Sequence, residues 1–201
     1  MLSDRGLVPL TYRRLAKNEF DQVLQLDFPA EQVERFLGPL PEIVETVRSG
    51  PAHHLVGIEE VGELVGFFAI HPDARDGACW WLGWFGIDRR RQGGGRGARA
   101  VAAILARLRQ LPACREVRLL VAPENEAALR LYRRAGFVLN GVWRRTGELV
   151  MRRILPPSRP SGEVPARFWA NAILLEVVDA RKCRMGVPVA AQLHGEVAFP
   201  P

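Results

Sequence analysis

The sequence predicts an α/β chain, and three observations carry that prediction. Trp80 to Ala113 reads as a strand, a glycine-rich turn and a helix in immediate succession. His53–Ile58 and Leu64–Ile70 are apolar runs joined by the polar turn Glu59-Glu60-Val61-Gly62-Glu63, a hairpin signal. Glu116–Val121 reads as a further strand, followed by a helical pattern opening at Asn125.

Composition bounds the function classes. A chain of 201 residues has room for one well-buried domain and an appendage. No apolar run approaches the roughly 18 residues of a membrane span, and MLSDRGLVPLTYRR lacks a signal-peptide core. A cytoplasmic location with no membrane partner is therefore expected. Cys79, Cys114 and Cys183 show no CxxC spacing and read as free thiols. The histidines form no HExxH motif, so no metal is expected. The net charge of +6 comes almost entirely from Arg. It admits three readings: a nucleic-acid surface, codon bias toward Arg, or a basic rim for a phosphate-bearing ligand at Arg89, Arg90, Arg91, Arg96 and Arg99. No nucleic-acid module interleaves basic and aromatic residues, so no nucleic-acid partner is expected.

In chain order, residues 7–15 predict a first strand. Asn18 is a candidate cap for a helix from Glu19, which Phe28-Pro29 breaks. Glu31–Leu37 and Pro41–Arg48 predict two short helices, ended by Gly38-Pro39 and Gly50-Pro51. The hairpin follows, with His53-His54 at its entrance, read as ordinary surface, and His71 at its exit, read as surface or as facing a ligand pocket. Trp80, Trp81, Trp84 and Phe85 alternate to both faces of the next strand, as in a strand covered on both sides. Gly83 and Gly86 mark a bulge or a close backbone approach, or simply admit bulky neighbours.

The turn Gln92-Gly93-Gly94-Gly95-Arg96-Gly97 precedes a helix with Val101, Ile104, Leu105, Leu108 and Leu111 on one face. A helix N-terminus exposes unpaired N–H groups and the positive end of the macrodipole. Glycines before it let a ligand approach the backbone. Strand, glycine-rich turn and helix together make an anion site, most often for phosphate. No Lys follows the glycines, which excludes a GxxxxGK[ST] loop, and the spacing departs from GxGxxG. A turn that only caps the helix is the plainer alternative. Further on, Asn125 sits at an N-cap position and Gly136 at the C′ position of one helix. Phe137–Val142 and Leu149–Leu155 predict the last strand pair. A Pro-rich linker follows over 156–162, then a helical pattern over 166–182.

The turn resembles the pyrophosphate loop [QR]-x-x-G-x-[GA] of the GNAT acetyltransferases, with Gln92, Gly95 and Gly97 at its three positions. Downstream, Asn125, Ala128, Tyr132, Gly136 and Phe137 match the same family's N-x-x-A-x-x-x-Y-x-x-x-G-F. The resemblance covers about residues 7–155. It implies a GNAT fold, a mixed, mostly antiparallel sheet flanked by helices with a splayed central strand pair. The division is a catalytic domain over 1–155 and an extension of unknown role over 156–201.

The resemblance also implies acetyl-CoA as cosubstrate and transfer of its acetyl group to a primary amine. Phe85, Gly86 and Ile87 would contact the pantetheine arm by backbone, and Gln92, Gly93, Gly94, Gly95, Arg96, Gly97 and Ala98 the pyrophosphate. Asn125 would contact the coenzyme as well as cap its helix. Tyr132 would be the general acid toward the departing sulfur. The family's strand Glu has no counterpart here: the only carboxylate is Asp88, and Glu31 and Glu34 are other candidate bases. Asp27, Glu31, Glu34, Glu42 and Glu45 in the first helices would suit a cationic acceptor. The pattern resembles small-amine enzymes, polyamine types included, with a monomer or homodimer expected. Acetylation of protein N-termini or lysines, and coenzyme binding without catalysis, stay open.

Overall fold

The computed structural model describes residues 8–50, 52–111 and 113–156, and the backbone of 197–198. Most of the expected linker, the helix expected over 166–182, and Cys183 lie outside the described residues.

Seven strands form one mixed sheet: β1 (Leu10–Arg14), β2 (His54–Glu60), β3 (Glu63–Pro72), β4 (Cys79–Ile87), β5 (Glu116–Val121), β6 (Val138–Trp143) and β7 (Leu149–Ile154). A two-residue strand, β8 (Val197–Ala198), pairs along the outer side of β6. The spatial order is β1-β2-β3-β4-β5-β7-β6-β8. Every pairing is antiparallel except β4 with β5. The mixed, mostly antiparallel sheet flanked by helices is the one expected.

Period-2 alternation sends β2 and β3 side chains to two cores. Val56, Ile58, Phe68 and Ile70 join one core. Leu55, Phe67 and Ala69 join the other. Helix α3 (Arg96–Arg109) and α4 (Glu126–Arg134) cover the first face. The N-terminal helices cover the second through Phe20, Val23, Ile43, Val44 and Val47. Each strand at the sheet centre is thus buried on both sides.

The N-terminal region differs most from expectation. Lys17–Gln25 is a 3₁₀ helix rather than an α-helix capped by Asn18. The Glu19 carboxylate closes its first turn by accepting the Ala16 N–H at 2.8 Å. Helix α1 (Ala30–Gln32) continues as a single π-helical turn, Val33–Leu37, ended by Gly38 at φ +83°. Helix α2 spans Leu40–Ser49, with Pro41 in its first turn. The β2–β3 turn is tighter than expected: Val61 and Gly62, at φ 54° and 79°, form a two-residue hairpin loop.

β4 carries the feature on which the site depends. Its register against β3 slips between Phe68–Phe85 and Ala69–Gly83, so Trp84 is the extra residue of a bulge. The side-chain parity records the slip. Before it, Trp80 and Leu82 face the α3–α4 core; after it, Phe85 and Ile87 do. Gly86 is required by packing, since a Cβ there would lie 2.6 Å from the Phe28 ring. At Gly83 the nearest atom would be 3.9 Å away.

The two glycines should therefore separate in a stability measurement. Gly86→Ala overpacks Phe28 and should cost about 1–3 kcal/mol in urea unfolding, whereas Gly83→Ala should stay within about 0.5 kcal/mol. Equal costs would show that Gly86 is not a packing requirement.

Candidate active site

β4 and β5 pair only over Cys79–Glu116, Trp80–Val117 and Trp81–Arg118, then diverge. Beyond Trp81 the β5-facing edge of β4 has no ladder partner. A cleft of about 740 Å³ opens in the gap, within the usual size range of ligand sites.

At one end the cleft meets the glycine loop. Gly93, Gly94 and Gly95 all take left-handed φ, at 82°, 56° and 72°. A side chain there would be strained whatever the space. Gly95 is the N-cap of α3 and offers no capping side chain. The Arg96 N–H turns back to the Gly93 carbonyl at 3.3 Å, and the Arg99 N–H bonds Gly95 at 3.0 Å. The Gly97 and Ala98 N–H groups lie in the first helical turn, where no intrahelical acceptor exists. The Gln92 amide donates to the Ile87 carbonyl at 3.0 Å and ties the loop to β4.

Phe85, Gly86, Ile87, Gln92, Gly93 and Gly97 line the cleft, as do Asn125 and Tyr132 across from them. Asn125 caps α4, its Oδ1 accepting the Ala128 N–H at 3.1 Å. Tyr132 is buried, its ring edge-on to Phe137 at 5.7 Å. Burial holds its phenol well above the usual 10, so it keeps its proton throughout the physiological range. Gly94, Gly95, Arg96 and Ala98 are not on the cleft wall.

The arginines do not form a free basic rim. Arg96 turns away from the cleft and makes a bidentate pair with the buried Glu60, 2.9 Å on each arm. Arg91 and Arg99 approach the same carboxylate at 3.8 and 3.9 Å. Arg89 pairs with Asp27 at 2.6 Å, and Arg90 with Asp88 at 2.7 Å. Glu60 on β2 and Asp27 in the segment before α1 are far in sequence from the arginines they meet, so sequence proximity did not reveal them, whereas Asp88 is two residues from Arg90. Asp88 itself accepts the Asp27 and Arg90 N–H groups and the Arg90 guanidinium. The guanidinium holds its carboxyl far below the usual carboxylate range, fixing it as a structural anion rather than a base.

The other end of the cleft holds what the sequence reading missed. His53 and His71 both line it, with ring centroids 4.4 Å apart. Burial pushes His53 down to about 4 and holds His71 below 6.5. Trp81, Trp84 and Phe36 supply aromatic walls there. Of the five acidic residues expected near an acceptor, only Glu31 lines the cleft, paired with Arg35 at 2.6 Å; Glu148 from the β6–β7 turn joins it. Glu34, a candidate base, does not line it. Cys79 and Cys114 are free and buried, their thiols pushed up to about 12 and 11, and they play no reactive part.

Residues 18–137 match the acetyltransferase (GNAT) family. The chain belongs to that family. The spermine/spermidine N(1)-acetyltransferase of Bacillus subtilis (strain 168) is 38% identical over 102 residues, covering 48% of this chain and 66% of the relative. A probable spermine N(1)-acetyltransferase of Bacillus subtilis subsp. natto is 37% identical over the same length. The chain thus spans just under two thirds of these relatives. Among solved structures, the aminoglycoside acetyltransferase AAC(6')-Ib in complex with coenzyme A superposes with a TM-score of 0.61 at 19% identity, over 73% of this chain and 95% of that one. The spermidine N-acetyltransferase of Vibrio cholerae in complex with CoA and spermine gives 0.59 at 18%, over 74% and 96%. At such identities these structures show the shared fold.

The buried neutral histidines carry a pH signature. His53, His54 and His71 all have lowered values when folded, His54 also to about 4. The unfolded chain therefore binds more protons than the folded one below about 6.5. The melting temperature should be flat above pH 6.5 and fall progressively from there toward pH 4. A melting temperature unchanged across that window would show that these rings accept protons without cost.

Proposed function

We propose that this chain transfers an acetyl group from acetyl-CoA to a primary amine of a small cationic molecule, with polyamines as the first candidates. The splay of β4 from β5 is the single observation that carries the reading. Beyond Trp81 the β4 edge offers peptide N–H and C=O groups that no neighbouring strand takes. Phe85, Gly86 and Ile87 stand on that edge, suited to the amides of a pantetheine arm. Gly93 and Gly97 on the cleft wall, at the opening of α3, suit its pyrophosphate. Bound there, acetyl-CoA supplies the thioester to be attacked.

This chain's own groups then supply the rest. A backbone N–H near Phe85–Ile87 stabilises the developing oxyanion, an effect that contributes about 3–4 kcal/mol elsewhere. Tyr132 keeps a proton beside the cleft for the departing sulfur. Glu31 and Glu148 place negative charge near the acceptor end, and the aromatic walls suit an alkylammonium. The spermine- and spermidine-acetylating relatives support the same acceptor class. We place the catalytic domain over 1–155, with 156–201 as an extension, in a cytoplasmic monomer or homodimer that needs no nucleic acid or membrane. No helix of the described residues is long and apolar enough to cross a membrane.

Acetyl-CoA at 100 times its dissociation constant should add about 2.7 kcal/mol and raise the melting temperature by several degrees, with NAD and ATP inert. Acetylation of spermidine, spermine and an aminoglycoside, followed by thiol release, then tests the acceptor class. No shift at saturating acetyl-CoA would remove the reading. The loop is tested by size at Gly97, whose Cβ would meet only ordinary contacts at 3.7 and 3.9 Å. Gly97→Ala should bind the coenzyme, while Gly97→Leu should stay folded and lose it. Equal binding by both variants would remove the loop from the site.

Tyr132→Phe should retain coenzyme binding and lose about 10²–10⁴-fold in kcat. A wild-type kcat in this variant would end the acid role, and coenzyme binding without turnover of any amine in the wild type would favour a non-catalytic module.

A further inference from the structure

We propose that His71 is the general base that takes the proton of the acceptor ammonium, through its Nε2 atom. The inference rests on the acetyl-transfer reading and deepens it. His71 lies near the end of β3, on the cleft wall beside Trp81. Its Nδ1 stands 3.0 Å from the Pro72 carbonyl oxygen. A carbonyl only accepts, so Nδ1 carries the hydrogen and the lone pair of the neutral ring is at Nε2. The residue is 9% exposed, and burial holds its ring below the usual histidine value against the opposing pulls of Pro72 and Asp73.

Among the described residues no other group near the cleft fits the task as well. Asp88 is locked by its hydrogen bonds. Glu31 is largely exposed and ion-paired, and Glu148 accepts the Thr146 hydroxyl at 2.7 Å. Asp73, beside His71 in sequence, is held by the Trp81 indole N–H at 2.7 Å. The charged and titratable surroundings are His53 and His54 from the start of β2, Asp73, and Glu31 and Glu148 across the cleft. Arg14 acts on His54 and Arg118 on Asp73. Burial disfavours a lasting proton on His71, so a proton taken up is passed on to water.

The proton balance closes. Nε2 takes one proton from the ammonium and frees the nitrogen lone pair. That pair forms the C–N bond to the acetyl carbonyl carbon, and the C–S bond breaks with its electrons leaving on sulfur. The Tyr132 hydroxyl gives its proton to sulfur, and the surplus proton on the new amide nitrogen returns to the phenolate. The net proton leaves from His71.

The test is the pH profile of kcat, with saturating acetyl-CoA and whichever amine of the panel above the wild type acetylates. The wild type should show an acid limb with an apparent pKa below about 6.5. His71→Gln should lose about 10²-fold or more in kcat, lose that limb, and bind acetyl-CoA as the wild type does by calorimetry. A variant with wild-type kcat and an unchanged limb would overturn the proposal and leave acetyl transfer intact. If His71→Gln does not fold, His71→Asn takes its place with the same readouts, and a wild-type kcat with an unchanged acid limb in that variant overturns the proposal. A wild type that neither binds acetyl-CoA nor turns over any amine would remove the underlying reading, and this one with it.

Discussion

Everything functional in this fold follows from three residue pairs. β4 and β5 run parallel and hold together only at Cys79–Trp81 with Glu116–Arg118. A parallel pair kept in register to its ends would have closed the sheet. The bulge at Trp84 shifts the β4 register against β3, and β5 keeps its pairing with β7 over its whole length. The two central strands therefore share a base and part above it. Unpaired peptide groups are costly when buried dry. Those on the open edge of β4 face the cleft, where water or a ligand's amides can satisfy them. The opening is thus both a cavity and a hydrogen-bonding template, the logic of strand addition applied inside a sheet.

The anion end of the cleft owes its character to backbone rather than to side-chain charge. Five arginines cluster around the glycine loop, yet each has a carboxylate within 4 Å. Glu60 alone is approached by three of them. It is 5% exposed, and its burial is tolerable because Arg96 meets both oxygens. The consequence is mechanical: Arg96, first residue of α3, is fixed to β2, and the loop's left-handed turn is fixed with it. What remains to attract a phosphate is the first helical turn, with its free N–H groups and the positive end of the macrodipole.

Much of this was legible in the sequence, for identifiable reasons. β5 falls over Glu116–Val121 as expected, because an alternating run bounded by turn residues leaves one register. α4 begins after Asn125 and is followed by Gly136 at φ +81°, because cap chemistry is local. The N-terminal helices fall close to where they were expected, but the first is 3₁₀ and the second ends in a π turn, a geometry set by packing Phe20, Val23, Leu26 and Leu37 onto the sheet. Propensity does not record that. The supposed basic rim failed for a related reason, since Arg96 and Glu60 are 36 residues apart. His53 was read as surface and the pairing of His53 with His71 went unforeseen, because a histidine at a strand end carries no directional signal. Their meeting depends on the β2–β3 register, which aligns His54 with Ile70.

The two ends of the cleft are tuned in opposite directions by the same force. Burial disfavours whichever form of a group is charged. For Tyr132 that is the phenolate, so burial keeps the proton on. For His71 it is the imidazolium, so burial keeps the proton off. A low-dielectric cleft thereby sorts an acid and a base, and at His71 burial outweighs the opposing pull of Asp73. The arrangement has a cost, because a base held below 6.5 takes a proton from an ammonium only fleetingly. Glu31 and Glu148, which also line the cleft, favour the ammonium itself. The acceptor's charge is then useful for binding and must be discarded for reaction, which is work for a nearby neutral imidazole rather than for a third carboxylate. A carboxylate would hold the ammonium as an ion pair, whereas an imidazole that cannot keep its proton passes it on and returns to its starting form.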